Sequence, residues 1–93
     1  MNRHDRELRR LIDEFQDGRM PFEEFHNGFI SCWTRMPERA LAPEARERWN
    51  EVYGMVLTAV PDQMASHNFG RGVIGEAELR IRLRRHPLLA GPR

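Results

Sequence analysis

The chain contains no lysine: all fifteen of its basic side chains are arginine. A GC-rich coding genome accounts for this more simply than selection at fifteen separate sites, so the absence carries no function. A single cysteine, Cys32, excludes an internal disulfide. It stands between Ser31 and Trp33 and reads as a small buried hydrophobe, since a nucleophilic thiolate would need a basic neighbour. No apolar run approaches the roughly 20 residues that cross a bilayer. The start, Met1-Asn2-Arg3-His4-Asp5, lacks the apolar centre of a signal peptide. A cytoplasmic protein with no membrane partner is the expectation.

Recognisable chemistry is also scarce. His4, His26, His67 and His86 form no HxxxH or HExxH pair, so no metal is expected. Ser31, Cys32 and Ser66 lack a nucleophile elbow or an adjacent base. Residues 62–75 hold Gly70, Gly72 and Gly75 with Ser66, His67 and Asn68, but the spacing fits neither a P-loop nor a dinucleotide fingerprint. They read as an ordinary loop. The carboxylate pairs Asp13/Asp17 and Glu47/Glu51 fall on polar helix faces, where they are solvated rather than poised for acid–base work. The expectation is therefore no catalytic residue, no cofactor and no enzymatic activity.

What is present is a helical pattern. Phe22, Phe25, Phe29 and Trp33 recur at spacings of three, four and four, which aligns four aromatic rings on one helical stripe. Aromatic rings bury the most apolar area per residue, so this helix should centre the core. Before it, Leu8, Leu11, Ile12 and Phe15 form a second stripe, with Asp5 as its cap and Gly18 as a left-handed stop. After it, Trp49, Val52, Tyr53, Val56, Leu57 and Val60 form a third, closed by Pro61, with Gly54 hinting at close packing or a bend. Met36 and Pro37 end the second helix, and Pro21 and Pro43 suit first helical positions. Leu79-Arg80-Ile81-Arg82-Leu83-Arg84 alternates like a strand, but no partner strand is visible, so it reads as a helix with Leu79 and Leu83 inward. Pro87 ends it and residues 88–93 form a tail. The 93 residues make one all-α domain, a four-helix, mainly antiparallel bundle with helices near 5–17, 21–35, 43–60 and 75–86.

Charge is balanced overall, at +1, so the chain advertises neither a nucleic-acid nor a membrane partner, and a monomer is expected. It is unevenly spread. Residues 5–24 carry seven acids against four arginines, and residues 71–93 carry six arginines against two acids. An acidic row runs over the first three helices through Asp13, Glu14, Asp17, Glu23, Glu24, Glu44, Glu47 and Glu51. Like charges one turn apart work slightly against a helix, which suits a basic partner.

The run LRRLIDEFQDGRMPFEEFHNGFISCW resembles the opening of the small α-helical immunity proteins related to the colicin D immunity protein, and GVIGEAELR resembles the entry to their last helix. The similarity covers residues 8–35 and 72–85. It implies an inhibitor that binds and blocks a cognate toxin domain, often a ribonuclease, through acidic surface. Asp13, Glu14, Asp17, Glu23 and Glu24 are then the partner-binding residues. The alternative is a small nucleic-acid-binding or regulatory protein using Arg80, Arg82, Arg84 and Arg85 of the last helix. A third reading is a subunit that buries the aromatic stripe in an oligomer.

Overall fold

Apolar residues at helical spacing, punctuated by proline and glycine, set the architecture. The computed structural model describes residues 3–67 and 72–90, and these are mostly helical. Among them are six helices: α1 (Arg3–Gln16), α2 (Phe22–Arg35), α3 (Pro43–Leu57), α4 (Asp62–His67), α5 (Glu76–Arg85) and α6 (Pro87–Ala90). A 3₁₀ turn, Glu38–Ala40, lies in the α2–α3 connector.

The α1–α2 turn follows the sequence. Gly18 has φ +79°, the Gly18 N–H donates to the Phe15 carbonyl (3.1 Å), and the Arg19 N–H donates to the Glu14 carbonyl (2.9 Å). These paired bonds satisfy the last carbonyls of α1 in a Schellman arrangement. Pro21 sits just outside α2, as its N-cap, one residue earlier than its expected place. At the other end Met36 is extended, as a residue before proline should be.

Several expectations are corrected. Asp5 lies inside α1 rather than capping it, because its carboxylate is taken by Arg9 and by the Trp49 indole. Helix α3 ends at Leu57, not at Val60. Val60 precedes Pro61, which biases it to extended backbone, and Ala59–Val60 (β1) pairs in parallel with Ile74–Gly75 (β2). The chain thus does contain a strand pair, two residues long. The supposed loop after Pro61 opens with α4, and the supposed tail opens with α6. Finally, a Cβ at Gly54 would meet nothing within 4 Å, so close packing does not explain that glycine. The phosphate-loop reading falls partly on residues 68–71, outside the described residues.

The core joins α1, α2, α3 and α5. Leu8, Phe15, Phe25, Phe29, Trp49, Val52, Val56, Leu79 and Leu83 are all fully buried. Phe15 stacks on Phe25 (4.3 Å, 7°), Phe25 meets Phe29 (5.7 Å), and Phe29 meets Trp49 (6.3 Å). Tyr53, expected inside, is half-buried and stacks on Trp33. Phe22 is likewise half-buried, and Leu57 is exposed. The aromatic stripe is core, and the alternating segment is helix with Leu79 and Leu83 inward.

Candidate functional site

The α1–α2 turn brings the last turn of α1 beside the first turn of α2, and the five acids singled out in the sequence stand around it. Asp13, Asp17, Glu23 and Glu24 are exposed, and Glu14 is half-exposed. Their internal partners differ. Glu14 accepts from Arg10 Nη1 (2.9 Å), and Asp17 lies 3.5 Å from Arg19 Nη2. Among the described residues Asp13, Glu23 and Glu24 form no ion pair. Glu23 and Glu24 lie in the first turn of α2, where their charge also complements the helix dipole.

Along α1 the surface is mixed rather than acidic. A shallow depression of about 540 Å3 is lined by Arg6, Arg9, Arg10 and Arg19 as well as Asp13, Glu14 and Asp17. Arg10 bridges Glu7 and Glu14. Its hydrogen bond holds the Glu7 carboxyl below the usual carboxylate range, and Glu7 in turn raises Arg10. On α3, Glu44, Glu47 and Glu51 share a second depression of about 230 Å3 with Arg48.

The arginines of α5 divide in two. Arg80 is structural: its Nη1 donates to the Phe15 carbonyl (2.6 Å), its guanidinium lies 3.9 Å over the Phe15 ring, and it pairs with Glu76. Arg82 pairs with Glu78. Arg84 and Arg85 are exposed and, among the described residues, have no ion-pair partner. Cations are favourable in the last turn of a helix without any ligand.

Cys32 is half-buried, and burial pushes its thiol up, with the Glu7 charge adding to the effect. That is the opposite of an activated nucleophile. Among the described residues no group of His, Cys, Asp and Glu could hold a metal, and no helix is long and apolar enough to cross a membrane.

The partners of three polar residues escaped the sequence. Asp5 binds both Arg9 Nε (2.6 Å) and Trp49 Nε1 (3.1 Å). His86 binds Glu51 (2.8 Å). Arg46 lies over the Trp33 ring at 5.0 Å with a buried Nη1 that has no partner among the described residues. Only the i, i+4 spacing of Asp5 and Arg9 was visible beforehand, because the other partners are distant in sequence. No protein-family model, curated protein or solved structure matches this chain.

Proposed function

We propose that the protein is a non-catalytic inhibitor, an immunity protein that binds and neutralises a cognate toxin domain. The observation behind this reading is the cluster of exposed carboxylates at the α1–α2 end, of which Asp13, Glu23 and Glu24 have no ion pair among the described residues. A carboxylate without an internal partner is free to meet a cation on another molecule. A toxin domain that handles RNA or DNA carries a basic groove, and carboxylates entering it take the place of phosphates. The resemblance of residues 8–35 to colicin D-type immunity proteins supports the same assignment. On this reading the four longer helices form a mainly antiparallel bundle, the free protein is a cytoplasmic monomer, and Glu14 and Asp17 exchange Arg10 and Arg19 for partner cations.

The test is co-expression with a cognate toxin domain, with Asp13, Glu14, Asp17, Glu23 and Glu24 replaced by Asn or Gln. Circular dichroism checks that the variant is folded. Loss of protection and of affinity is the expected outcome. Full protection with unchanged affinity would move the binding face elsewhere.

A second reading, nucleic-acid binding by α5, is favoured by Arg84 and Arg85, which are exposed and have no ion-pair partner among the described residues. It predicts affinity for generic DNA that falls steeply with salt. The arginines committed to Glu76 and Glu78 leave this surface smaller than the sequence suggests. Against the oligomer reading, Phe25, Phe29 and Trp33 of the aromatic stripe are buried within the single chain, and Phe22 is half-buried.

A further inference from the structure

His86 is buried, 9% exposed, and both of its ring nitrogens are engaged. Nδ1 lies 3.2 Å from the Leu88 backbone nitrogen, and Nε2 lies 2.8 Å from Glu51 Oε1. A backbone N–H can only donate, so Nδ1 must offer a lone pair. An ionised carboxylate can only accept, so Nε2 must carry the hydrogen. Together the two contacts select the neutral imidazole protonated on Nε2.

The place of the ring in the chain gives that choice a consequence. His86 ends α5 with extended backbone, and Pro87 follows as the first residue of α6. Leu88 is the second, so its N–H belongs to the group that no helical carbonyl can satisfy. The His86 ring therefore caps α6 in the manner of an Asn or Asp side chain. Four residues cannot sustain a helix alone. Besides this cap, α6 is held by the Leu89 N–H on the His86 carbonyl (2.9 Å) and by Arg9 Nη1 on the Leu88 carbonyl (3.3 Å). Half-buried Leu88 and Leu89 pack on the core.

We propose that His86 is a proton-operated latch on α6. In the neutral ring Nδ1 holds the Leu88 N–H and α6 stays docked. A second proton can enter only at Nδ1, and there it sets two N–H groups against each other. The cap is lost, while the ring stays in place because its pairing with Glu51 becomes a salt bridge. Helix α6 then leaves, uncovering the apolar surface beneath Leu88 and Leu89. Charged groups stand on three of the helices. From α3, Glu51 favours the cation. From α1 comes Arg9, which pairs with Asp5 and reaches the Leu88 carbonyl. On α5, Arg85 precedes His86 in sequence and is exposed, and Arg82 is paired with Glu78. Because proton uptake and cap formation use the same lone pair, they compete, and acid weakens the docking of α6.

The full-length protein labelled with 15N tests this. Nitrogen chemical shifts of the ring report its tautomer, and amide exchange reports α6, followed from about pH 8 to 5, where histidine ordinarily titrates. The expected result is a neutral ring protonated on Nε2. After correction for intrinsic exchange, the Leu88 and Leu89 amides should lose protection roughly five- to ten-fold as the ring titrates, as for a lost cap. Amides of α1 to α3 should not follow. His86→Asn offers an acceptor that takes no proton, and should hold α6 at every pH in this range. Glu51→Gln, on an exposed side chain that leaves the core untouched, should move the loosening to lower pH. A neutral ring protonated on Nδ1, α6 amides that ignore the titration, a pH response surviving in His86→Asn, or a midpoint unmoved in Glu51→Gln would each overturn the latch.

Discussion

Phe29 has no exposed surface and touches rings from two helices, Phe25 on α2 and Trp49 on α3. Truncating it removes both the transfer free energy and the ring contacts, and the rigid neighbours cannot close the space. Phe29→Ala should cost about 3–5 kcal/mol in urea denaturation, enough to threaten a domain of this size. Gly18→Val should cost more than about 1 kcal/mol, because the Cβ meets no neighbour and the penalty arises from the left-handed φ. Asp5 is a subtler case. It satisfies the Trp49 indole N–H and anchors Arg9, whose guanidinium also reaches the Leu88 carbonyl. Asp5→Ala should destabilise by about 1–3 kcal/mol, the range for stranding a buried donor. Trp49 fluorescence in the denaturation series would detect it, and a loss below a few tenths of a kcal/mol would show that Asp5 does not anchor Trp49. Gly18 was legible in the sequence because its reason is local: a helix must stop, and φ must be positive. Asp5 was not, since its decisive partner lies 44 residues away.

At the scale of elements, the same division between local and distant causes decides what could be read. Helices α1, α2 and α3 carry apolar stripes and end near proline or glycine, so their existence was visible, whereas the alternating α5 was read as a helix by elimination. The β1–β2 pair, α4 and α6 are too short to show a period, and distant groups hold them. Ile74 N–H reaches the Thr58 carbonyl (3.1 Å), and the Asp62 carboxylate receives the Ala77 N–H (3.3 Å) at the start of α5. That cap comes from another element because Gly75, the N-cap residue, has no side chain. A Cβ there would collide with the Asp62 carboxylate and press on Ala65 at 3.3 Å. The docking of α5 on α1 rests on Arg80, with Gln16 Nε2 returning a bond to the Arg80 carbonyl (3.1 Å). Arg80→Ala should therefore cost about 1.5–3 kcal/mol, as for a hydrogen bond from a charged donor. Arg84→Ala, at an exposed residue with no ion-pair partner among the described residues, should stay within about 0.5 kcal/mol. Thermal unfolding of the two variants checks the contrast. Equal losses would mean that α5 is not held through Arg80.

For the whole molecule, the net charge of +1 decides how a partner would be found. A chain so nearly neutral has little long-range field of its own. Any steering must come from the local concentration of carboxylates at the α1–α2 end, and arginines on the adjoining α1 surface dilute it. The candidate acids were legible in the sequence as a polar face. Their partial neutralisation by Arg10 and Arg19 was not weighed there, since charge counting along a helix does not say which side chains close on which. On the inhibitor reading these features separate the two rates of binding. Exposed rim carboxylates act on the encounter, and salt screens them within about 10 Å at 0.1 M. Apolar anchors and desolvated pairs act on dissociation and are nearly indifferent to salt. Stopped-flow association with the toxin domain should then slow by about ten-fold between low and high salt, at the modest end of steered complexes. The dissociation rate should hardly move. Neutralising Asp13, Glu23 and Glu24, which have no internal cation to release among the described residues, should remove most of that salt dependence. Neutralising Glu14 and Asp17 should remove less, because Arg10 and Arg19 already screen them. An association rate that ignores both salt and these substitutions would place the contact away from the α1–α2 end.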